Sequence, residues 1–255
     1  MNLTMKAPIL GVAVAIAITT AMDATGYSLF SALPLFPLTG LLWMLQRFTR
    51  TELGLVMGAL RDYAWALAYP LLVLGAVAAI AWLAGAVNVA ETHWNKTFTN
   101  VGLMSSTGVI MVLITEEGFF RGWLWASLKR AGRSDTMTLA WSTLAFTAWH
   151  LSAISLDTGF DVPAAEIPVY LVNATLLGAI WGILRMVSGS VVVPAVCHAV
   201  WNGIAYPIYG FGEKIGALGI EQTQLFGPEV GFLGILLNGA FLLWIWRKYV
   251  GTGRY

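Results

Sequence analysis

Charge is scarce in this chain. Only 11% of its 255 residues are Asp, Glu, Lys or Arg, where a soluble domain carries about a quarter. That shortage excludes a large water-soluble domain and an intrinsically disordered chain. A single cysteine, Cys197, excludes an intrachain disulfide framework and a Cys-rich metal site. Net charge is +1 and no stretch is strongly basic, so nucleic-acid binding has no electrostatic footprint. The sequence also lacks an H-E-x-x-H pair and a G-x-S-x-G elbow. No internal repeat, low-complexity linker or domain boundary interrupts it, so residues 1–255 read as a single membrane domain.

Apolar residues are what the chain has in abundance. They make up 58% of it, with 12 Trp suited to two membrane interfaces, and mean hydropathy is +0.75. A spanning helix needs about 20 such residues. Continuous apolar runs cover 7–22, 28–45, 65–87, 101–128, 137–155, 167–186, 191–209 and 231–246. The first is read as a span and not as a cleaved leader, because further runs follow at once. A membrane β-barrel would show alternating segments of about ten residues instead. The expected fold is therefore all-α, a polytopic bundle of about eight transmembrane helices.

The basic residues orient it. With the N-terminus inside, Lys6, Arg47, Arg50, Arg61, Lys129, Arg130, Arg133, Arg185, Arg247, Lys248 and Arg254 fall on one side, against Lys96 and Lys214 on the other. This is a positive-inside pattern with both termini cytoplasmic. The opposite loops carry Asp23, Glu91, Asp157, Asp161, Glu166, Glu213, Glu221 and Glu229. Segment 51–60 is weakly amphipathic and is expected at the cytoplasmic interface. Gly178 and Gly182 are spaced as a close helix-packing face, and Pro70 is expected to kink the third span.

A few polar residues stand out inside the spans. Glu116, Glu117 and Arg121 share the fourth, His150 lies in the fifth, and His198 and Asn202 lie in the seventh. An intramembrane charge costs roughly 3 kcal/mol on insertion scales, so these groups belong inside the bundle or beside water. Glu117 and Arg121 are four apart and can pair along one helical stripe. Glu116 is turned about 100° from Glu117 and should face a different neighbour. Phe146 shares a face with His150, and His198 with Asn202. Glu116 lies 13 residues before Lys129, His150 17 after Arg133, and His198 13 after Arg185. At about 1.5 Å per residue the three levels agree well enough to meet.

Such a set suits peptide hydrolysis, which needs a base for water, donors for an oxyanion and an acid for the leaving amine. Glu116 is the candidate base, since Glu117 has Arg121 to hold it. His150 can position the water or share the proton work, and His198 and Asn202 can donate to the oxyanion. Cys197 and His198 diverge as helix neighbours, which argues against a Cys–His dyad. Asn173 and Asn238 read as interhelical hydrogen bonders, and His93 as a solvated loop residue.

The run Glu116-Glu117-Gly-Phe-Phe-Arg121 resembles the EExxxR motif of the CPBP family, which includes type II CAAX prenyl endopeptidases and the Abi bacteriocin-processing and self-immunity proteins. Phe146-Thr-Ala-Trp-His150 resembles its FxxxH motif, and His198-Ala-Val-Trp-Asn202 its HxxxN motif. The likeness covers about 101–206, with all three motifs in order. It implies an eight-helix glutamic-type intramembrane endopeptidase without cofactor or metal. Glu116 and His150 would activate water, His198 and Asn202 would line the oxyanion site, and Glu117, Arg121 and Phe146 would support them. It further implies a membrane-associated, CAAX-like or peptide substrate and residence in the inner membrane of a prokaryote. Three other readings stay open on the residues alone: a His₂Glu zinc site from Glu116, His150 and His198, a proton-coupled transporter, and a non-catalytic immunity or scaffold protein.

Overall fold

The computed structural model describes residues 3–90, 92–160, 162–211 and 214–250. Glu91, Asp161, Glu213 and Arg254, which entered the charge pattern, lie outside them. The helices are α1 (Leu3–Ala24), α2 (Leu35–Gln46), α3 (Leu60–Leu83), α4 (Trp94–Ile114), α5 (Trp125–Arg130), α6 (Asp135–Trp149), α7 (Leu151–Ser155), α8 (Ile167–Ser188), α9 (Val192–Tyr209), α10 (Thr223–Phe226) and α11 (Phe232–Ile245). A π-helical segment, Gly118–Leu124, stands before α5. Strands β1 (Gly210–Phe211) and β2 (Lys214–Ile215) form a small antiparallel hairpin after α9.

The fold is an all-α membrane bundle. Met5–Ala24, Ser28–Gln46, Leu60–Leu83, Trp94–Arg130 and Ile167–Ser188 are long and apolar enough, by length and composition, to cross a membrane. Helices α6, α9 and α11 are shorter, at 15, 18 and 14 residues. Leu29, Leu60 and Leu83 turn outward and are at least 85% exposed, as side chains facing lipid would be.

Local chemistry sets the helix ends. Ser134 caps α6, its hydroxyl accepting from the Met137 amide at 3.3 Å. The Asp62 carboxylate takes the Ala59 amide at 3.0 Å and opens α3, which then runs through Pro70 without a break. Gly189 closes α8 with φ 67°, a left-handed turn that a Cβ would strain.

Helices α8 and α9 form the centre. Helix α9 lies along α4 on one side and α3 on the other, while α8 packs against α6 and α11. A Cβ at Gly203 would stand 2.6 Å from the Ser105 backbone nitrogen, so α4 and α9 touch backbone to backbone there. Gly182 meets Leu139 of α6, and Gly178 meets Arg121, Phe146 and Thr143.

Residues 51–59 form turns and bends, with helix beginning at Leu60. Their backbone is captured by the bundle, because the Val191 amide donates to Gly54 O at 2.8 Å and Arg185 Nη2 to Glu52 O at 3.2 Å. Arg185, counted with the cytoplasmic cations, is buried at 6% exposure. Its long stem lets the guanidinium reach inward carbonyls that a sequence count of loop charges does not reveal.

The contact at Gly203 yields a contrast. Gly203→Ala is expected to destabilise the bundle by about 1–3 kcal/mol through overpacking. Gly108→Ala, whose added carbon would meet the Ala199 Cβ at an ordinary 3.4 Å, should be neutral or slightly stabilising. Thermal unfolding midpoints of the two variants in detergent check this.

Candidate active site

The fourth expected span is not one continuous α-helix. Helix α4 ends at Ile114, Thr115 leaves helical geometry with ψ −96°, and the chain re-enters as the π-helical turn that carries Arg121. A π-turn widens the ladder and loosens its carbonyls, and such turns gather at functional sites. Side chains from other helices accept the consequence. Ser142 Oγ donates to Phe120 O at 3.0 Å, and Arg185 Nε donates to Arg121 O at 2.9 Å. The buried Arg185 is therefore a brace for this turn.

Glu117 and Arg121 form the expected ion pair, Nη1 to Oε1 at 3.1 Å, with both side chains fully buried. Arg121 Nη2 also donates to Gly178 O at 2.9 Å, and its guanidinium lies 4.4 Å over the Phe146 ring. A side chain at position 178 would crowd both groups at 3.3 Å, which is why glycine stands there. Glu117 does more than pair with arginine. The same Oε1 accepts from His198 Nδ1 at 3.0 Å. Glu116 was expected to face a different neighbour, yet both glutamates meet His198, one at each ring nitrogen. The junction between α4 and the π-turn aims the two consecutive carboxylates at one ring.

Glu116 Oε2 stands 4.0 Å from His150 Nε2 and 4.0 Å from His198 Nε2. That spacing is too long for a direct hydrogen bond and suits one bridging water. Both ring tautomers follow from what the other nitrogen touches. His150 Nδ1 lies 2.9 Å from Phe146 O, a carbonyl that can only accept, so Nδ1 carries the proton and Nε2 offers a lone pair. Phe146 O belongs to the last turn of α6, so the histidine also satisfies a helix-end carbonyl. Helix α6 stops at Trp149, and His150 sits at the break before α7. His198 Nδ1 likewise donates to Glu117, and its ring stacks on Trp181 at 3.8 Å and 15°.

A cavity of about 30 Å³ opens beside these groups, room for roughly one water. His150, His198, Asn202, Trp181, Tyr170 and Glu229 are among its lining residues. The structure therefore brings together Glu116, Glu117, Arg121, Phe146, His150 and His198, with Asn202 on the cavity wall. Among the described residues, no set of three His, Cys, Asp or Glu side chains is grouped to hold a metal ion. His93 is exposed, and Cys197 is fully buried.

Sequence reading missed three participants. Trp181 carries no signal beyond its place one residue before Gly182. Arg185 reads as a cytoplasmic-side cation at the end of a span. Glu229 reads as a solvated loop acid, yet it is half-buried and its Oε1 accepts from Trp201 Nε1 at 2.7 Å. Tryptophan next to Asn202 was the one available hint that a polar partner was near.

The shared carboxylate makes a stability test. Arg121→Met leaves Glu117 buried without its cation and should cost about 3–5 kcal/mol. Adding Glu117→Gln to that variant should recover much of the loss, as measured by thermal unfolding of the purified single and double variants.

Neither a curated protein nor a solved structure matches the chain. A family model does: residues 97–204, which supply both glutamates, Arg121, Phe146, both histidines and Asn202, match the family described as type II CAAX prenyl endopeptidase Rce1-like.

Proposed function

We propose that the protein is a glutamic-type intramembrane endopeptidase that hydrolyses a peptide bond of a membrane-associated substrate. The family match implies CAAX-type intramembrane protease activity. The observation that carries the finer reading is the position of Glu116 Oε2, 4.0 Å from the Nε2 of both His150 and His198.

In this reading a water sits between Glu116 and His150. His150 Nε2 accepts one of its hydrogens and fixes its lone pair toward the substrate. Glu116 takes the other proton as the water oxygen attacks the carbonyl carbon. The oxyanion that forms needs donors. Asn202 supplies an amide N–H. His198 can donate from Nε2 only as the imidazolium, because Nδ1–H is already directed at Glu117. Arg121 and His198 together hold Glu117 in place through its Oε1. Glu116 then returns its proton to the leaving nitrogen, the C–N bond breaks, and an acid and an amine separate. Phe146 supports two members, since its carbonyl orients His150 and its ring lies under Arg121. A lipidated, CAAX-like protein or a membrane peptide is the proposed substrate, and a prokaryotic inner membrane the proposed location.

In cells, Glu116→Gln and His150→Ala should each leave the protein inserted while an uncut substrate accumulates. Comparison of protein termini and membrane peptides with those of wild type measures this. Unchanged termini with an intact cellular phenotype would favour the scaffold reading, and lost proton flux without any cut peptide the transporter. Cleavage by purified protein is expected to persist in the presence of a metal chelator. Loss of cleavage that zinc restores would establish the zinc reading instead.

A further inference from the structure

Glu229 lies outside the family-matched segment, in the turn that precedes α11. That turn is held in place by buried polar groups. Asn173 Nδ2 donates to Glu229 O at 2.9 Å. Asn238 Nδ2 donates to Asn173 Oδ1 at 3.1 Å, and Tyr69 OH donates to Asn238 Oδ1 at 2.7 Å. Tyr69, Asn173 and Asn238 are all fully buried. Three helices, α3, α8 and α11, thus clamp one short turn. Gly234 sits where a Cβ would press on the Pro228 carbonyl at 2.3 Å, so α11 also approaches the turn closely. Hydrogen bonds between transmembrane helices alone would not need the backbone of residue 229.

What the clamp delivers is a carboxylate. The Glu229 side chain lines the catalytic cavity with His150, His198 and Asn202. Trp201 engages its Oε1, and no described residue hydrogen-bonds Oε2. Glu229 also lines a second small cavity, of about 30 Å³, together with Phe211 and Lys214. Phe211 and Lys214 in turn line an outer vestibule of about 850 Å³, which Tyr206 borders together with the catalytic cavity. Glu229 therefore stands at the junction between the reacting groups and an open, polar space.

Of the three glutamates at the site, Glu116 faces both imidazoles and Glu117 is held by Arg121 and His198. Glu229 has no cationic side chain bonded to it among the described residues. Peptide hydrolysis creates a cation at this place. The new acid gives up its proton, the new amine takes one, and the fragments part as carboxylate and ammonium. A carboxylate facing the cavity binds that ammonium through a charge-assisted hydrogen bond. Burial raises the affinity of the Glu229 carboxyl for its proton, and the Trp201 hydrogen bond and the nearby His198 imidazole oppose that effect.

We infer that Glu229 is a ligand-binding residue for the free amino terminus of the departing peptide fragment, which leaves through the outer vestibule. This rests on the hydrolytic reading, but its test does not require turnover. The probes are a tripeptide amide of alanine and leucine with a free amino terminus and the same peptide N-acetylated. Binding is measured by titration calorimetry on the full-length protein in detergent. Wild type is expected to bind the free amine at least tenfold more tightly, and Glu229→Gln to bind both equally, with an unchanged unfolding midpoint. A preference that survives Glu229→Gln overturns the inference, and so do equal affinities in wild type. If the glutamine variant does not fold, Glu229→Ala takes its place, with loss of the amine preference expected. An amine preference in a protein whose Glu116 variants accumulate no substrate would leave this site standing while removing the hydrolytic reading.

Discussion

One oxygen atom organises the centre of this molecule. Oε1 of Glu117 receives both the Arg121 guanidinium and the His198 imidazole in a fully buried setting. Taking a carboxylate and a guanidinium out of water costs several kcal/mol per ion, and only close geometry with further hydrogen bonds compensates. The surrounding structure meets that condition. Gly178 gives up a side chain so that its carbonyl can reach Arg121, and Phe146 offers its ring face. The ion pair is thus a weak source of net stability and a strong constraint on position. It fixes the His198 tautomer, and with it the direction in which Nε2 points.

The same constraint explains the irregular backbone. A straight α-helix through 101–128 would hold the two adjacent carboxylates about 100° apart, with no reason to converge on one ring. The break at Thr115 and the π-turn that follows bring them to opposite nitrogens of His198. The turn carries carbonyls that need partners, and Ser142 and Arg185 provide them from α6 and α8. Local irregularity, ion pair and helix packing are therefore one arrangement.

Much of this is legible in the residues themselves. Long apolar runs announce the helices because a bilayer core without water leaves a membrane segment no other partners for its backbone polar groups. Charged and imidazole side chains inside those runs mark the site because lipid would not tolerate them unpartnered. The 3.6-residue period pairs Glu117 with Arg121 and brings Phe146 under His150. What the period cannot show is where it fails. The break at Thr115, the stop at Trp149 and the turn at 51–59 are decided by tertiary contacts, so Glu116 and Glu117 share a neighbour that ideal geometry denies them. Arg185 and Glu229 escape notice for a related reason. Arg185 stands at the end of an apolar run and Glu229 just before one, where sequence alone suggests water, yet a long side chain or a clamped turn carries the charge back inside.

The small size of the cavity beside the two imidazoles has a mechanical consequence. A space of about 30 Å³ admits one water and no peptide. If the site hydrolyses a peptide bond as proposed, the scissile bond would come between the two imidazoles only with α6, α8 and α9 parted, and that motion would be made against the surrounding lipid, so the host membrane would bear on how often the site opens.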